Sequence, residues 1–344
     1  MAQARVFGAG IFGLSIGWEI ARRGASVEVV DPFGPGAGAS GGLVGALAPH
    51  VPESWNPKKQ VQFDSLDMAA PFWGAVAAAG GTDPGYARTG RLQPITDAAA
   101  LELAHARAAS AQTLWQGRYL WQVVAAQAFP GLLDSPTGWL IHDTLTARLH
   151  PQRACAALVA AIRAKGGRVV AAASAAPMIE IWATGVAGLH EMSEASGRPV
   201  GTGVKGQAAA FRAELGAAPQ LFAEALHIVP HADGTVAVGS TSERDYDDPA
   251  GTDAQLDALI DTARRLCPAL RDAPVTQRWA GVRPRARSRA PMLGPHPTRP
   301  GAFVANGGFK IGFGMAPMVA RLMADLILDG HDAIPDSFRP EASL

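Results

Sequence analysis

The first residues able to do chemistry are the run Gly8-Ala9-Gly10-Ile11-Phe12-Gly13 and a carboxylate further on, Asp31. A glycine turn that opens a helix leaves backbone N–H groups unpaired and partly positive, which suits a pyrophosphate. Gly8 permits the tight turn, Gly10 the close approach and Gly13 the packing of helix on strand. Asp31 ends the next strand, where it can accept hydrogen bonds from a ribose. Turn, helix, strand and acid together point to a dinucleotide, but they do not choose NAD over FAD.

Other residues invite other chemistry. Gly38-Ala39-Ser40-Gly41-Gly42 and Gly13-Leu14-Ser15-Ile16-Gly17 both fit the G-x-S-x-G elbow of serine hydrolases. An elbow needs a strand before the serine and a helix after it. Pro32 to Gly36 is no strand, and Ser15 already lies inside a helix, so the hydrolase reading is weak. Arg283, Arg285, Arg287 and Arg289 alternate, and on a strand they would share one face. Four like charges on one face repel unless an anion answers them. The preferred expectation is a solvated turn after Pro284, with Arg283 alone pointing inward. The sharper alternative is a large anionic substrate. His50, His142, His150, His227, His231 and His296 show no metal-ligand spacing, so no metal is expected and most should be surface or core residues. His50 alone, just after the glycine-rich loop, could reach a site. The tryptophans read as core or interface.

The elements that position these residues follow from periodicity. Arg5 to Phe7 and Ser26 to Val30 read as strands around an apolar helix that Arg22-Arg23-Gly24 closes. Pro32 to Gly45 must be loop. Trp55 to Ala79, Asp97 to Gln116 and Pro151 to Lys165 read as helices; Gly90 to Ile95, Gly138 to Ile141, Val169 to Ala171 and Ile179 to Ala183 read as strands. Asp233-Gly234 joins two runs as a hairpin. Thr252 with Gln255 reads as a capping box, and the last helix runs from about Ala316 to Leu328. The 344 residues suit two domains, and 48% hydrophobic content excludes disorder as the main state. Thirty basic residues balance thirty acidic ones, so whole-surface nucleic-acid binding has no support. Two cysteines, Cys155 and Cys267, exclude a disulfide framework and suggest a reducing, cytoplasmic home. The apolar stretch Val6 to Ile20 is shorter than the roughly 20 residues of a membrane span.

Three further segments carry a family likeness: Gly38 to Pro49; Trp279-Ala280-Gly281-Val282-Arg283-Pro284 with Pro291-Met292-Leu293-Gly294; and Asn306 to Gly314 before the last helix. With the N-terminal turn, and in this order, they resemble the D-amino-acid oxidase superfamily, its glycine oxidase and sarcosine oxidase branch above all. The resemblance implies non-covalent FAD, since no cysteine lies near the C-terminal flavin segment. It places Ile11 and Phe12 by the pyrophosphate and Asp31 and Pro32 by the ribose. It places Ala39, Ser40, Val44, Gly45 and Ala46 on the flavin side, and Thr184-Gly185 on a returning strand beside FAD. Gly308, Phe309, Lys310, Ile311, Gly312, Phe313 and Gly314 would run along the isoalloxazine. Arg283 matches the arginine that grips the substrate carboxylate, and Lys310 a basic residue of the family. The chain departs from the family in its scarce tyrosines and in the short link between Val169 and Trp182.

The expectation is therefore an α/β protein. A doubly wound, Rossmann-type FAD domain (residues 1–50, 148–204 and 294–344) carries a second α+β substrate domain built on an antiparallel sheet (51–147 and 205–293). The expected reaction oxidises the C–N bond of a small amino acid or N-alkyl glycine, with hydride passing to flavin N5, to an imine and then an oxo acid. The expected partner is a small carboxylate-bearing amine, with oxygen or an electron carrier as second reactant; no DNA and no membrane are expected, and a homo-oligomer stays open. The alternatives are a dehydrogenase feeding a carrier and an enzyme acting on a glycine-like group of modified tRNA, since Gly38 to Pro49 also resembles the flavin domain of a wobble-uridine-modifying enzyme.

Overall fold

The apolar run before the glycine turn forms β1 (Gln3–Phe7) in the computed structural model, which describes residues 3–344. α1 (Ile11–Arg22) is buried along its whole length up to Ala21, and β2 (Ser26–Val30) returns parallel to β1. After the loop and β3 (Ala46–Leu47), the long helical stretch is two helices, α2 (Pro57–Asp67) and α3 (Ala69–Gly80). They break at Met68 because Pro71 has no N–H to give the carbonyl of Asp67. β4 (Arg91–Pro94), α4 (Ala98–Leu114), β5 (Trp121–Ala125), β6 (Trp139–Asp143) and β7 (Ala147–Arg148) follow. α5 (Pro151–Ala164), β8 (Arg168–Val170), β9 (Ile179–Trp182) and α6 (Gly185–Ser196) return to the first sheet. β10 (Gly201–Arg212), β11 (Gln220–Ala223), β12 (Leu226–Pro230), β13 (Thr235–Gly239), α7 (Ala254–Leu266) and β14 (Val275–Ala286) extend the second. β15 (Met292–Pro295), β16 (Phe303–Asn306) and α8 (Gly312–Asp329) complete the chain's main elements.

The first sheet has the order β15-β16-β9-β1-β2-β8, parallel except for the β15–β16 pair. Helices α1, α5 and α8 pack together on it, with α2 on α8 and α3 on α5, around the largest apolar core. This is the expected doubly wound architecture. The second sheet has the order β14-β10-β13-β12-β11-β4-β6-β5 and is antiparallel apart from β11–β4. α7 covers its far face over a separate core.

Three local expectations need correction. The cap of α7 is Asp253, not Thr252: its carboxylate accepts from Gln255 N at 2.9 Å. α8 begins at Gly312, four residues earlier than periodicity suggested. The chain does not turn after Pro284, because β14 continues to Ala286 paired with β10.

The short link from β8 to β9 is fixed from beneath. Arg5 and Glu28 lie in mid-sheet, paired at 2.8 Å and almost fully buried. Arg5 also donates to the carbonyls of Ser174 and Ala176, while Glu28 accepts from Ser174 and Arg168. The buried pair thus ties the trimmed link to two central strands. Removing Arg5 leaves the buried Glu28 carboxylate with only the solvent-exposed Arg168 to answer it. Arg5→Ala is therefore expected to lose about 3 kcal/mol in urea unfolding; a loss under about 0.5 kcal/mol, the range of a surface substitution, would contradict this account.

Candidate active site

The glycine turn is shaped by exclusion of side chains. Gly8 has φ +102°, and a Cβ there would stand 2.4 Å from the carbonyl oxygen of Ala183. A Cβ on Gly13 would stand 1.9 Å from the oxygen of Gly8, so α1 sits directly on the turn. Gly10 opens α1 without a side-chain cap, and no acidic residue occupies the first turn. Ser40 accepts from Ile11 N at 2.9 Å, which spends its hydroxyl on the helix and not on nucleophilic chemistry. Asp31 accepts from Ala9 N at 2.8 Å and from Phe33 N at 3.0 Å, joining the end of β2 to the turn. All these residues except Ala9 and Gly13 line one cavity of about 850 Å³.

A second helix opens on the same cavity. α8 also lacks a side-chain cap and an acidic first turn. The segment before it is pinned by Phe309 N–H donating to Pro284 O at 2.9 Å and by Asn306 donating to Gly185 O at 2.8 Å. Arg285 and Lys310 lie 5.5 Å and 5.8 Å from the centre of the Phe309 ring. Of the residues assigned to the site from sequence, Gly13, Ile311 and Gly314 lie outside the cavity lining, and the others line it. Gly13 and Gly314 act by packing, the latter toward Leu66. Two uncapped helix ends, a ribose-side carboxylate and backbone bare of side chains fit an FAD laid along the cavity.

At the far end stands Arg283, on β14. Its guanidinium lies over Gly206, where a Cβ would come within 1.9 Å of it. It donates to Ser240 Oγ at 2.6 Å and to Thr241 O at 3.4 Å. Burial pushes it down to about 10, against the pull of Glu243, so it stays charged at neutral pH. Burial and Arg283 also hold Lys310 below the usual lysine range.

His227, expected among surface or core histidines, lines the cavity beside Phe222, their ring centres 4.5 Å apart. Burial, with Arg91 and Lys310 nearby, pushes it down to about 3, so it is neutral at any working pH. The strand pattern of Leu226 to Pro230 alternates His227 with buried Leu226 and Ile228, and that alternation is the only sequence signal that it faces elsewhere. Trp279 and Ser240 also line the cavity. His50 does not: its backbone N–H and ring both meet Gln62. Cys155 and Cys267 are free, buried and outside the cavity. Among the described residues no group of three or more His, Cys, Asp or Glu could hold a metal, and no helix is long and apolar enough to cross a membrane.

A parallel sheet with a glycine turn and terminal acid, facing an antiparallel sheet across one long cavity, defines a two-sheet dinucleotide-binding oxidoreductase. The chain belongs to the FAD dependent oxidoreductase family, whose sequence profile matches residues 5–326. It is 28% identical over 353 residues to a bifunctional ThiO/ThiG protein of Nostoc sp., covering 94% of this chain and 52% of that one. It thus spans about half the length of such bifunctional relatives. Its fold matches a glycine oxidase from Geobacillus kaustophilus, with TM-score 0.83, 22% identity and 98% of each chain covered. It also matches an iminodiacetate oxidase from Chelativorans sp. BNC1, with TM-score 0.84, 21% identity and 98% of each chain covered.

Replacing Gly10 puts a side chain into the cavity at the open end of α1, and a Cβ there already stands 3.2 Å from Ser40 Oγ. Gly10→Val is expected to weaken FAD about a hundredfold in a fluorescence titration of apo-protein, with the fold retained by circular dichroism. Unchanged FAD affinity would remove the pyrophosphate from this turn.

Proposed function

We propose that the chain oxidises the C–N bond of a small amine or amino acid that carries a carboxylate. The observation carrying this is Arg283, a buried guanidinium that bonds only neutral oxygens and opens on the same cavity as the Phe309-Lys310 segment. Its planar fork can hold both carboxylate oxygens at once and so fix the α-carbon and its hydrogen. FAD, when bound, supplies the two-electron acceptor that takes this hydrogen as hydride. The chain supplies the rest. Lys310 and the open amides of α8 are positive where negative charge accumulates during the reaction. Two cations and a neutral imidazole disfavour an ammonium in the pocket, which drives the substrate amine to the neutral form able to release a hydride. No side chain in the cavity needs to act as a base. The imine product then hydrolyses in water to an oxo acid and a free amine.

The names of the glycine oxidase and the iminodiacetate oxidase support a small carboxylate-bearing amine as substrate. Oxygen or an electron carrier would reoxidise the flavin, and peroxide formation in air separates the two. A tRNA substrate gains nothing from the alternating arginines: Arg283 is buried, Arg285 lies by Phe309, and Arg287 bonds the carbonyl of Leu344.

The holoenzyme is expected to lose its flavin colour anaerobically with one or more of glycine, sarcosine, proline and D-amino acids. Arg283→Ala should keep FAD yet lose about a hundredfold or more in the second-order rate of bleaching. If the rate and its substrate saturation are unaltered by that change, the carboxylate is held elsewhere.

A further inference from the structure

The ionisable residues lining the cavity are Asp31, Arg283, Lys310 and His227. Asp31 belongs to the glycine turn, where it bonds Ala9 and Phe33. The substrate end therefore holds two cations and one imidazole and no acid. Glu243, the acid nearest Arg283, is engaged by Lys205 at 3.6 Å and by Gln207 at 3.1 Å. Lys310 has no ion pair or hydrogen bond among the described residues. One substrate carboxylate answers Arg283, and Lys310, exposed to solvent where it lines the cavity, is left without a partner.

His227 is also without a partner. Its Nδ1 is sealed from solvent and accepts or donates no hydrogen bond. An orphaned buried N–H is less tolerable than an orphaned acceptor. The neutral ring therefore carries its proton on Nε2, the open nitrogen of a ring that lines the cavity. His227 is an uncharged donor with nothing among the described residues to donate to.

The sheet places these groups on two sides of one spot. In the order β14-β10-β13-β12, Arg283 comes from β14 across Gly206 of β10 to reach Ser240, just past the end of β13. His227 comes from β12 and stands directly opposite Gly239, the residue before Ser240. Strand pleating puts Arg283, Gly206, Gly239 and His227 on one face of the sheet, and Arg283, His227 and Lys310 all line the same cavity.

We propose that His227 and Lys310 recognise a second acidic arm, so that the preferred substrate class is an amine flanked by two carboxylates, ahead of simple amino acids. The proposal rests on the oxidase reading for its reaction but not for its binding. A methyl in place of the second carboxylate leaves the His227 Nε2–H and the Lys310 ammonium without that acceptor, the kind of loss by which polar sites reject apolar analogues.

Binding is tested without chemistry by two ligands that lack the amine, oxydiacetate and methoxyacetate, read from the visible spectrum of the FAD holoenzyme. Oxydiacetate is expected to bind about tenfold more tightly or better. His227→Leu and Lys310→Met should each shrink that preference, His227→Gln should retain part of it, and Arg283→Lys should weaken both ligands alike. Equal affinity in the wild type, or a preference that survives both His227→Leu and Lys310→Met, overturns the proposal. Anaerobic bleaching by iminodiacetate and by sarcosine carries the same comparison into turnover, with iminodiacetate expected to react about tenfold or more faster at low concentration. If neither amine bleaches the flavin while the oxydiacetate preference holds, the oxidation reading falls and the two-acid pocket stands.

Discussion

Two helix ends left open toward one cavity are the constraint on which this structure turns. α1 and α8 both start without a side-chain cap and without an acidic residue in the first turn. Unpaired amides in a dry groove are costly until an acceptor arrives. The fold keeps them open because side chains are excluded from the turn itself. The carbonyl of Ala183 presses on Gly8, and the oxygen of Gly8 presses on Gly13. Even Ser40, the one hydroxyl at the mouth of α1, bonds Ile11 and leaves the amides after it free. The demand for a bound anion is thus built into the backbone, and the fold gains stability when one is present.

The two sheets are not independent around that groove. β14 carries Arg283, and the next residue, Pro284, accepts the Phe309 N–H. Arg285, one further on, lies by the Phe309 ring. The Arg283 strand and the segment leading into α8 are therefore one mechanical unit. On the opposite wall, the loop after β2 is tied to the antiparallel sheet by His231 Nε2 at 3.0 Å from Leu43 O, and it ends in a separate two-stranded ladder of β3 with β7. The Phe309–Pro284 tether is a main-chain bond, so the spacing between the Phe309-Lys310 segment and Arg283 is set with little freedom.

What could be read in the sequence divides along the same physical line. The β1–α1–β2 unit and Asp31 were legible because local constraints decide them: a glycine turn, a 3.6-residue stripe, a strand ending in an acid. α8 was read short because Gly312 and Gly314 disfavour helix, yet packing against Ile11 and Leu66 overrides propensity there. β14 was cut at Pro284 for a similar reason, although the strand lies at the sheet edge, where a missing N–H does no harm. His227 was missed because a histidine among apolar strand residues gives no sign of which partner it lacks. That sign exists only once β12 is set beside β13 and the cavity closes around the ring.

The same pleat explains why Arg283 stays available. Val204 and Gly206 of β10 pair with Arg283 and Gly281, so the guanidinium lies on the Gly206 face of that strand. Lys205 and Gln207 alternate to the other face. There they engage Glu243, which also accepts from Thr241. The acid thus stands across the strand from the arginine, near enough to favour its charge but outside hydrogen-bond reach. A direct ion pair would have filled the fork before any substrate arrived, and a distant acid would have left a buried cation unsupported. A glycine between two polar residues on one strand achieves both separations at once. Any side chain at position 206 would displace the guanidinium while leaving the acid's partners in place.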